Sequence, residues 1–300
     1  MVSTNSLILI NIFLLLILTI VFYLYYPLCK YYLMKNKTDI SPRIIVSMTT
    51  SPKRIYHLKD TIDSIMNQTV EVDYIHINLP KVFKRDNTKF TKIPNFLLEN
   101  KKVILNVCED IGPATKIVPT IKSDFIVHSD IILSIDDDIY YPNNLVETYL
   151  YYHCMYSDCV LTGTSLFYKD ETKGKYKDSL VECELLEGFS CVLYKKKHLE
   201  DIPLDIFDKT KVPIYHYLAD DLVLSNYVLK KNYKILALTR DDPTVAKINP
   251  YDYGLKNDAL HKGAAGSAGC KIDDDCNRVN YYKTMEYLKQ RGEYYLSRTF

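Results

Sequence analysis

The sequence predicts an α/β fold: a mostly parallel sheet in one domain over residues 41–300, behind an N-terminal transmembrane helix and short stem in residues 1–40. Three observations carry this. Continuous β-branched runs alternate with stretches of helical periodicity from Ser41 onward, the pattern of a sheet covered on both faces. Residues 7–28 carry no charge. Asp136, Asp137 and Asp138 follow directly on a buried-strand pattern. Composition agrees: 300 residues, net charge +1, 25% charged and 47% hydrophobic exclude a disordered chain, a collagen-like repeat and a strongly basic nucleic-acid binder. The 27 Tyr, 0 Trp and 9 Gly are read chiefly as the codon bias of an AT-rich genome. Removing about 40 residues for anchor and stem leaves about 260, the size of one compact α/β unit.

Residues 7–28 are long enough to span a bilayer, which takes about 20 apolar residues. Tyr23, Tyr25, Tyr26, Tyr31 and Tyr32 cluster at the end as an interfacial belt would. A cleaved signal peptide fits less well, because no Lys or Arg precedes the segment and Pro27-Leu28-Cys29-Lys30 is a poor cleavage site. The expected location is thus the membrane, through a single N-terminal pass. Lys30, Lys35 and Lys37 place the large part in the cytosol by the positive-inside rule, whereas a lumenal domain needs the opposite bias, so the side stays open. Asn36 and Asn67 begin glycosylation triplets of the kind that arise by chance. Cys154/Cys159, Cys183/Cys191 and Cys270/Cys276 are close enough in sequence for disulfides, but free buried thiols are favoured, and no pair has zinc spacing.

The elements follow in order. Residues 43–49 read as a buried strand, ended by the turn residues Thr50-Ser51-Pro52. Ile55, Leu58, Ile62 and Ile65 recur at helical spacing. Residues 74–79, 103–107 and 131–135 are further strands. Residues 194–199 read as a strand running into a turn, and 218–231 and 281–296 as helices. Residues 263–269 hold three of the nine glycines and read as a loop. In such sheets ligands bind beyond the carboxyl ends of the strands.

That rule directs attention to Asp136, Asp137 and Asp138. Three adjacent carboxylates at the end of a buried strand repel one another unless a cation offsets them. A hard divalent ion, Mn²⁺ or Mg²⁺, is the natural partner, held by one or two carboxylates together with substrate phosphates. The competing reading is a solvated acidic turn, which is retained for Asp273, Asp274 and Asp275.

Four segments in order resemble the GT-A-fold glycosyltransferases over about residues 43–240. Residues 134–142, Ser-Ile-Asp-Asp-Asp-Ile-Tyr-Tyr-Pro, resemble the DXD segment. Residues 45–54 resemble the opening strand and turn where the nucleoside docks, which makes Thr49 and Arg54 substrate-binding candidates. Residues 110–116 resemble a segment in which the Lys lies towards the sugar nucleotide, here Asp110 and Lys116. Glu187-Gly188 and Asp220-Asp221 fall where an acceptor-side loop and an acidic catalytic motif would stand. The resemblance implies a GT-A (Rossmann-like) domain and a membrane-anchored, metal-dependent transfer of a sugar from a nucleotide-sugar donor to a hydroxyl of a glycan, lipid or protein acceptor. Asp138 would be the direct metal ligand, Asp136 a ligand through water or a ribose contact, and Asp137 a donor contact.

Deprotonating the acceptor needs a base. One of Asp220 and Asp221 would serve in an inverting transfer, with Asp221 preferred, and mutual repulsion raises one carboxyl pKa, which suits a base. A purely structural reading lets both cap the helix they open. The resemblance also implies a late His as third metal ligand, for which His261 is the candidate, with Lys262 near a phosphate and His216 as a rival. Lys116 and Arg54 have a bland alternative as solvated side chains. Tyr140, Tyr141 and Tyr217 are candidates to line a sugar site, and residues 169–182 and 256–269 to shape it. The runner-up functions are a nucleotidyltransferase, disfavoured because residues 48–52 contain no glycine, and a catalytically inactive sugar-binding membrane protein. A retaining glycosyltransferase remains the mechanistic rival.

Overall fold

In the computed structural model, residues 11–21, 31–32, 41–176, 180–238, 249–250 and 276–298 are described. The first strand, β1 (Ile44–Thr49), shows why the sheet is buried on both faces. Ile44, Val46 and Met48 point into one core and Ile45 into the other, as the two-residue period of a strand requires. Beyond it come β2 (Tyr74–Pro80), β3 (Val103–Cys108), β4 (Ile131–Ser134), β5 (Ile139–Tyr140), β6 (Val160–Thr162), β7 (Leu180–Cys183), β8 (Val192–Tyr194), β9 (Ile235–Leu238) and β10 (Asn249–Pro250). Eight of them form one sheet in the order β3-β2-β1-β4-β8-β6-β9-β7, and β10 pairs with β5.

The four strands expected from the sequence form the parallel half, β3-β2-β1-β4. The sheet is mostly parallel, as expected, with β6 parallel to β9, but the second half is mixed: β8 runs antiparallel to both β4 and β6, and β7 antiparallel to β9. The chain enters β8 from a turn over Gly188–Ser190 instead of from a crossover helix, so no parallel return is imposed. The strand expected over 194–199 is over by Tyr194; Lys196–Leu199 is a short helix. β3 is a sheet edge, and Val107 is exposed where full burial was expected.

Helices cover both faces. On one lie α1 (Leu58–Met66), which buries Leu58, Ile62 and Ile65, and α2 (Leu145–Met155), which buries Leu145, Val146, Tyr149 and Leu150. On the other lie the turn through Ile117, Val118 and Ile121 and the helix α4 (Asp220–Lys230), through Val223, Leu224 and Val228. The short α3 (Ile214–Tyr217) precedes α4, and α5 (Cys276–Gln290) packs against α3. The expectation of a helix to residue 296 fails at Gly292, whose φ of 67° is the left-handed conformation that stops a helix. The Glu293 N–H then donates to the Leu288 carbonyl at 2.9 Å, which closes the last turn.

The expected membrane span over 7–28 is described only in 11–21. That stretch is helical and presents Phe13, Leu15 and Leu18 outward. Among the described residues no helix is long and apolar enough to cross a membrane. Neither the pair Cys154/Cys159 nor the pair Cys183/Cys191 forms a disulfide. Cys270 lies outside the described residues.

His76 and His198 are buried, and burial depresses their pKa to about 4 and about 3. The unfolded chain therefore binds protons that the fold excludes. Their stabilising share is complete above about pH 6.5 and is lost as pH falls towards the folded values, at about 1.4 kcal/mol per pH unit per group. In a folded-state NMR titration both rings should stay neutral down to about pH 5; titration near the free value would contradict this.

Candidate active site

A cleft of about 670 Å³ opens beyond the carboxyl ends of the parallel strands, where the topology of such sheets puts ligands. Thr49 ends β1, Pro80 ends β2, Asp110 follows β3 and Asp137 follows β4, and all four line it. Arg54, Arg85 and Tyr217 complete its polar wall.

Asp110 is buried and fully engaged. It accepts from the Lys84 N–H at 2.6 Å, the Gly112 N–H at 2.8 Å and the Tyr217 hydroxyl at 3.2 Å. Gly112 is required here, because its φ is 75° and a Cβ would fall 2.9 Å from the Tyr217 ring. Asp110 thus ties the β3 loop to α3 and to the β2 loop.

Beside the cleft, one ammonium gathers three carboxylates. Lys116 Nζ lies 3.0 Å from Asp136, 3.2 Å from Asp220 and 3.8 Å from Asp221. The turn that carries Lys116 is pinned to the sheet, since the Ser47 hydroxyl donates to the Lys116 carbonyl at 2.5 Å and lies 2.6 Å from Thr120 Oγ1. Asn78 donates to that Thr120 oxygen at 2.8 Å and Asn106 to Asn78 at 2.8 Å, a polar ladder across β1, β2 and β3. Burial opposes the Lys116 charge, but the carboxylates outweigh it and hold its pKa well above the ordinary lysine value. The solvated-lysine reading is therefore wrong.

Asp220 and Asp221 do not cap their helix. Ala219 is the N-cap residue, no side chain caps it, and both carboxylates turn to Lys116. Asp221 accepts from the Gly188 N–H at 3.1 Å and from the Tyr281 hydroxyl at 3.2 Å. Burial first, and then Asp220, push its pKa up to about 8 in spite of Lys116. Gly188 has no room for a side chain, because a Cβ would overlap Lys116 Nζ and lie 2.9 Å from Asp221 Oδ1.

A second cation serves the same acidic run. Arg54 ion-pairs with Asp137 and, at 2.6 Å, with Asp138, and is itself largely buried. Thr50 donates to Asp137 at 2.6 Å. Burial raises the Asp137 pKa to about 6 against the pull of Arg54. Tyr141 fixes the backbone of the run: its oxygen accepts the Asp136 N–H at 3.0 Å and its hydroxyl donates to the Phe189 carbonyl at 3.0 Å. It is fully buried, so its role is structural and it does not line a sugar site.

The donor set can be tested for a divalent ion. Asp136 and Asp138 are the more open carboxylates, 30% and 27% exposed against 9% for Asp137. Oxygen donors of this kind suit a hard cation. Among the described residues no three His, Cys, Asp or Glu side chains gather into one ligand group. Two carboxylates alone would hold an ion only together with other oxygens, such as those of a phosphate.

The structure thus brings Thr49, Arg54, Asp110 and Asp137 to the cleft, pairs Asp138 with Arg54, and joins Lys116, Asp136, Gly188, Asp220 and Asp221 beside it. Glu187 does not line the cleft; the Thr164 hydroxyl donates to it at 2.7 Å. His261 and Lys262 lie outside the described residues. His216 is not with the carboxylates; it lines a different cleft. The described part of 169–182 does not shape the cleft but packs at the β7 edge, where Lys169 pairs with Glu182. Sequence reasoning missed Tyr281, Lys84 and Arg85. Residues 81–86 directly follow β2, so the strand-end rule contained the signal for Lys84 and Arg85. Nothing local marks Tyr281.

No family model matches the chain, and no curated protein matches it. Solved structures do. The crystal structure of S. aureus TarS aligns at 12% identity with a TM-score of 0.41, covering 67% of this chain and 35% of that one. The crystal structure of S. aureus TarS 1-349 aligns at 14% identity with a TM-score of 0.41, covering 66% and 58%. The chain spans less than two thirds of either.

Removing the Lys116 charge leaves three carboxylates facing one another. Lys116→Met should lose about 3–5 kcal/mol of stability near pH 8, the usual cost of breaking a buried pair. Repulsion then raises the folded carboxyl pKa values above their unfolded ones, so the deficit should shrink as pH falls towards 5. Urea midpoints at the two pH values measure this, and a pH-independent deficit contradicts it. Gly188→Ala should cost about 1–3 kcal/mol by overpacking, read in the same denaturation.

Proposed function

We propose that the chain is a glycosyltransferase of GT-A type that moves a sugar from a nucleotide-sugar donor to an acceptor hydroxyl. One observation carries the reading: the segments that resemble this family, far apart in sequence, meet at one place, where Lys116 contacts Asp136, Asp220 and Asp221 beside the cleft.

In this reading the cleft holds the nucleotide. Arg85 is suited to its phosphates: it lines the cleft, it forms no ion pair among the described residues, and burial lowers its pKa. A guanidinium in that state gains most from an arriving anion. The acceptor oxygen attacks the anomeric carbon. The bond from that carbon to the diphosphate oxygen breaks, and its electron pair leaves with the diphosphate. The acceptor proton passes to Asp221, whose raised pKa makes it a strong base once ionised. Gly188 and Tyr281 fix its orientation. Lys116 holds Asp221 next to Asp136 and so couples the base to the acidic run. A divalent ion, Mn²⁺ or Mg²⁺, held by Asp136 and Asp138 would supply Lewis-acid stabilisation of the leaving diphosphate. We read the transfer as inverting, with residues 7–28 holding the enzyme at a membrane; the outward apolar side chains of 11–21 support that anchor.

A screen of nucleotide sugars on the full chain in detergent, with and without Mn²⁺, tests the reading. Failure of every donor to bind, hydrolyse or transfer would sink it. Asp221→Asn should lower turnover about 10²–10⁴-fold while nucleotide binding persists. Asp138→Asn should weaken the response to Mn²⁺. Arg85→Gln should weaken a nucleoside diphosphate more than the nucleoside, as calorimetry would show. The anomeric configuration of the product distinguishes inversion from retention.

A further inference from the structure

The two edges of the sheet are finished differently. β7 is covered by its own chain: the Lys169 N–H donates to the Glu182 carbonyl at 2.7 Å, and the Glu182 N–H to the Thr172 hydroxyl at 3.0 Å. β3 is bare, and among the described residues no strand lies beyond it. An open edge is a template for another strand, and proteins usually blunt it with a proline, a bulge or a charge within the strand. β3 has none of these. It reads Val-Ile-Leu-Asn-Val-Cys, and its register with β2 is unbroken.

Half of its backbone is already used. The Lys102 carbonyl accepts from the Ile75 N–H at 2.8 Å, and the Cys108 carbonyl from the Lys81 N–H at 2.9 Å. Even-numbered residues therefore turn their N–H and C=O towards β2, and Val103, Leu105 and Val107 turn theirs outward. The Val103 N–H is taken by the Asn100 carbonyl at 3.0 Å. The Val103 carbonyl and both groups of Leu105 and Val107 face away from the sheet. Val107 is 64% exposed, although Val103 and Leu105, on the same face of the strand, pack against the core.

Charge selects the occupant. Lys101 precedes the strand and Glu109 follows it, and both are exposed. A second copy laid antiparallel, Leu105 opposite Leu105, sets Lys101 of each chain opposite Glu109 of the other. The same register sets Val103 opposite Val107, and these odd-numbered pairs are the hydrogen-bonded ones. A parallel copy in register would set Lys101 against Lys101. The two-fold axis of the antiparallel pair is perpendicular to the sheet, so both copies turn the same sheet face to the same side. That face carries α2, where the Tyr31 hydroxyl donates to Glu147 and the Tyr31 ring meets Tyr151 edge-on at 5.6 Å. Two chains anchored through residues 7–28 can therefore share one membrane.

We propose that two copies of the chain pair through β3, antiparallel about Leu105, into one continuous sheet. Each Leu105 N–H donates to the Leu105 carbonyl of the other copy, and each Val107 N–H to the Val103 carbonyl. The exposed Val107 side chain is covered by Val103 of the other copy. Glu109, which pairs with Lys81 at 3.0 Å on the surface, gains Lys101 of the other copy. The interface is self-complementary, as a two-fold dimer requires. It is small and largely main-chain, which sets a modest affinity. The proposal does not rest on the transferase reading, and its test measures no turnover.

Sedimentation equilibrium of the full chain in detergent should show a monomer–dimer equilibrium with a Kd of about 1–100 µM. Val107→Lys, a change to an exposed side chain, should weaken it at least about tenfold. Lys101→Glu and Glu109→Lys should each weaken it about tenfold, and both changes in one chain should restore it to within about threefold. Amide exchange at Leu105 and Val107 should slow as concentration rises, while Ile104 and Asn106, already bonded to β2, should not respond. Leu105→Cys should crosslink between chains on mild oxidation, because the Cα atoms of such a pair stand about 5.5 Å apart. Val107→Cys should crosslink no more than the unaltered chain, because the two Val107 residues lie about 14 Å apart in this register. A chain that stays monomeric up to about 100 µM, a dimer indifferent to Val107→Lys, a double charge reversal that restores nothing, or crosslinking through Val107→Cys in place of Leu105→Cys would each overturn the proposal.

Discussion

The Lys116 ammonium, buried among Asp136, Asp220 and Asp221, is the contact on which the rest of the site depends. Each carboxylate alone would be expelled from this environment or protonated. A single cation fixed at their centre makes their assembly tolerable and sets its geometry. That cation must itself be held, which accounts for the polar ladder of Ser47, Asn78 and Asn106 with Thr120 in an otherwise apolar sheet. A core polar network is worth its desolvation only if every member is satisfied, and this one ends on the Lys116 carbonyl.

The two halves of the sheet divide the work. The parallel half supplies four strand ends at one edge, and from them come the turn with Arg54, the Asp110 loop and the acidic run. The mixed half supplies closure. β8 leaves the turn that brings the Gly188 N–H to Asp221, and α4 packs its apolar side on the same sheet face as the Lys116 turn. Gly188 has no side chain because the site is closed from this direction to within one carbon atom.

Much of this was legible in the sequence, and the reasons differ by region. β1 to β4 stand out because strands buried on both faces carry unbroken β-branched runs, and the strand-end rule then picks out Asp136 to Asp138. The Asp220–Asp221 pair was visible as a motif, but its orientation was not. A carboxylate at a helix start has a local partner in the helix, and only tertiary structure shows that Lys116 wins. α2 was hidden because it buries residues on most of its circumference and so carries little periodic signal. β6, β7 and β9 are three or four residues each, too short for a pattern. Tyr281 contributes its hydroxyl from the far end of the chain, a contact that no spacing encodes.

The thiols carry a different implication. Cys183 and Cys191 are sealed in the core as small apolar fillers, and burial pushes the Cys183 thiol up to about 12. A thiol so reluctant to ionise is a poor nucleophile towards oxidants and disulfides. Of the described cysteines, Cys108, Cys154 and Cys159 form no disulfide either. This part of the protein owes its stability to packing and charge pairing and not to crosslinks. The integrity of this part should therefore be indifferent to the surrounding thiol–disulfide poise, unlike that of a disulfide-stapled fold.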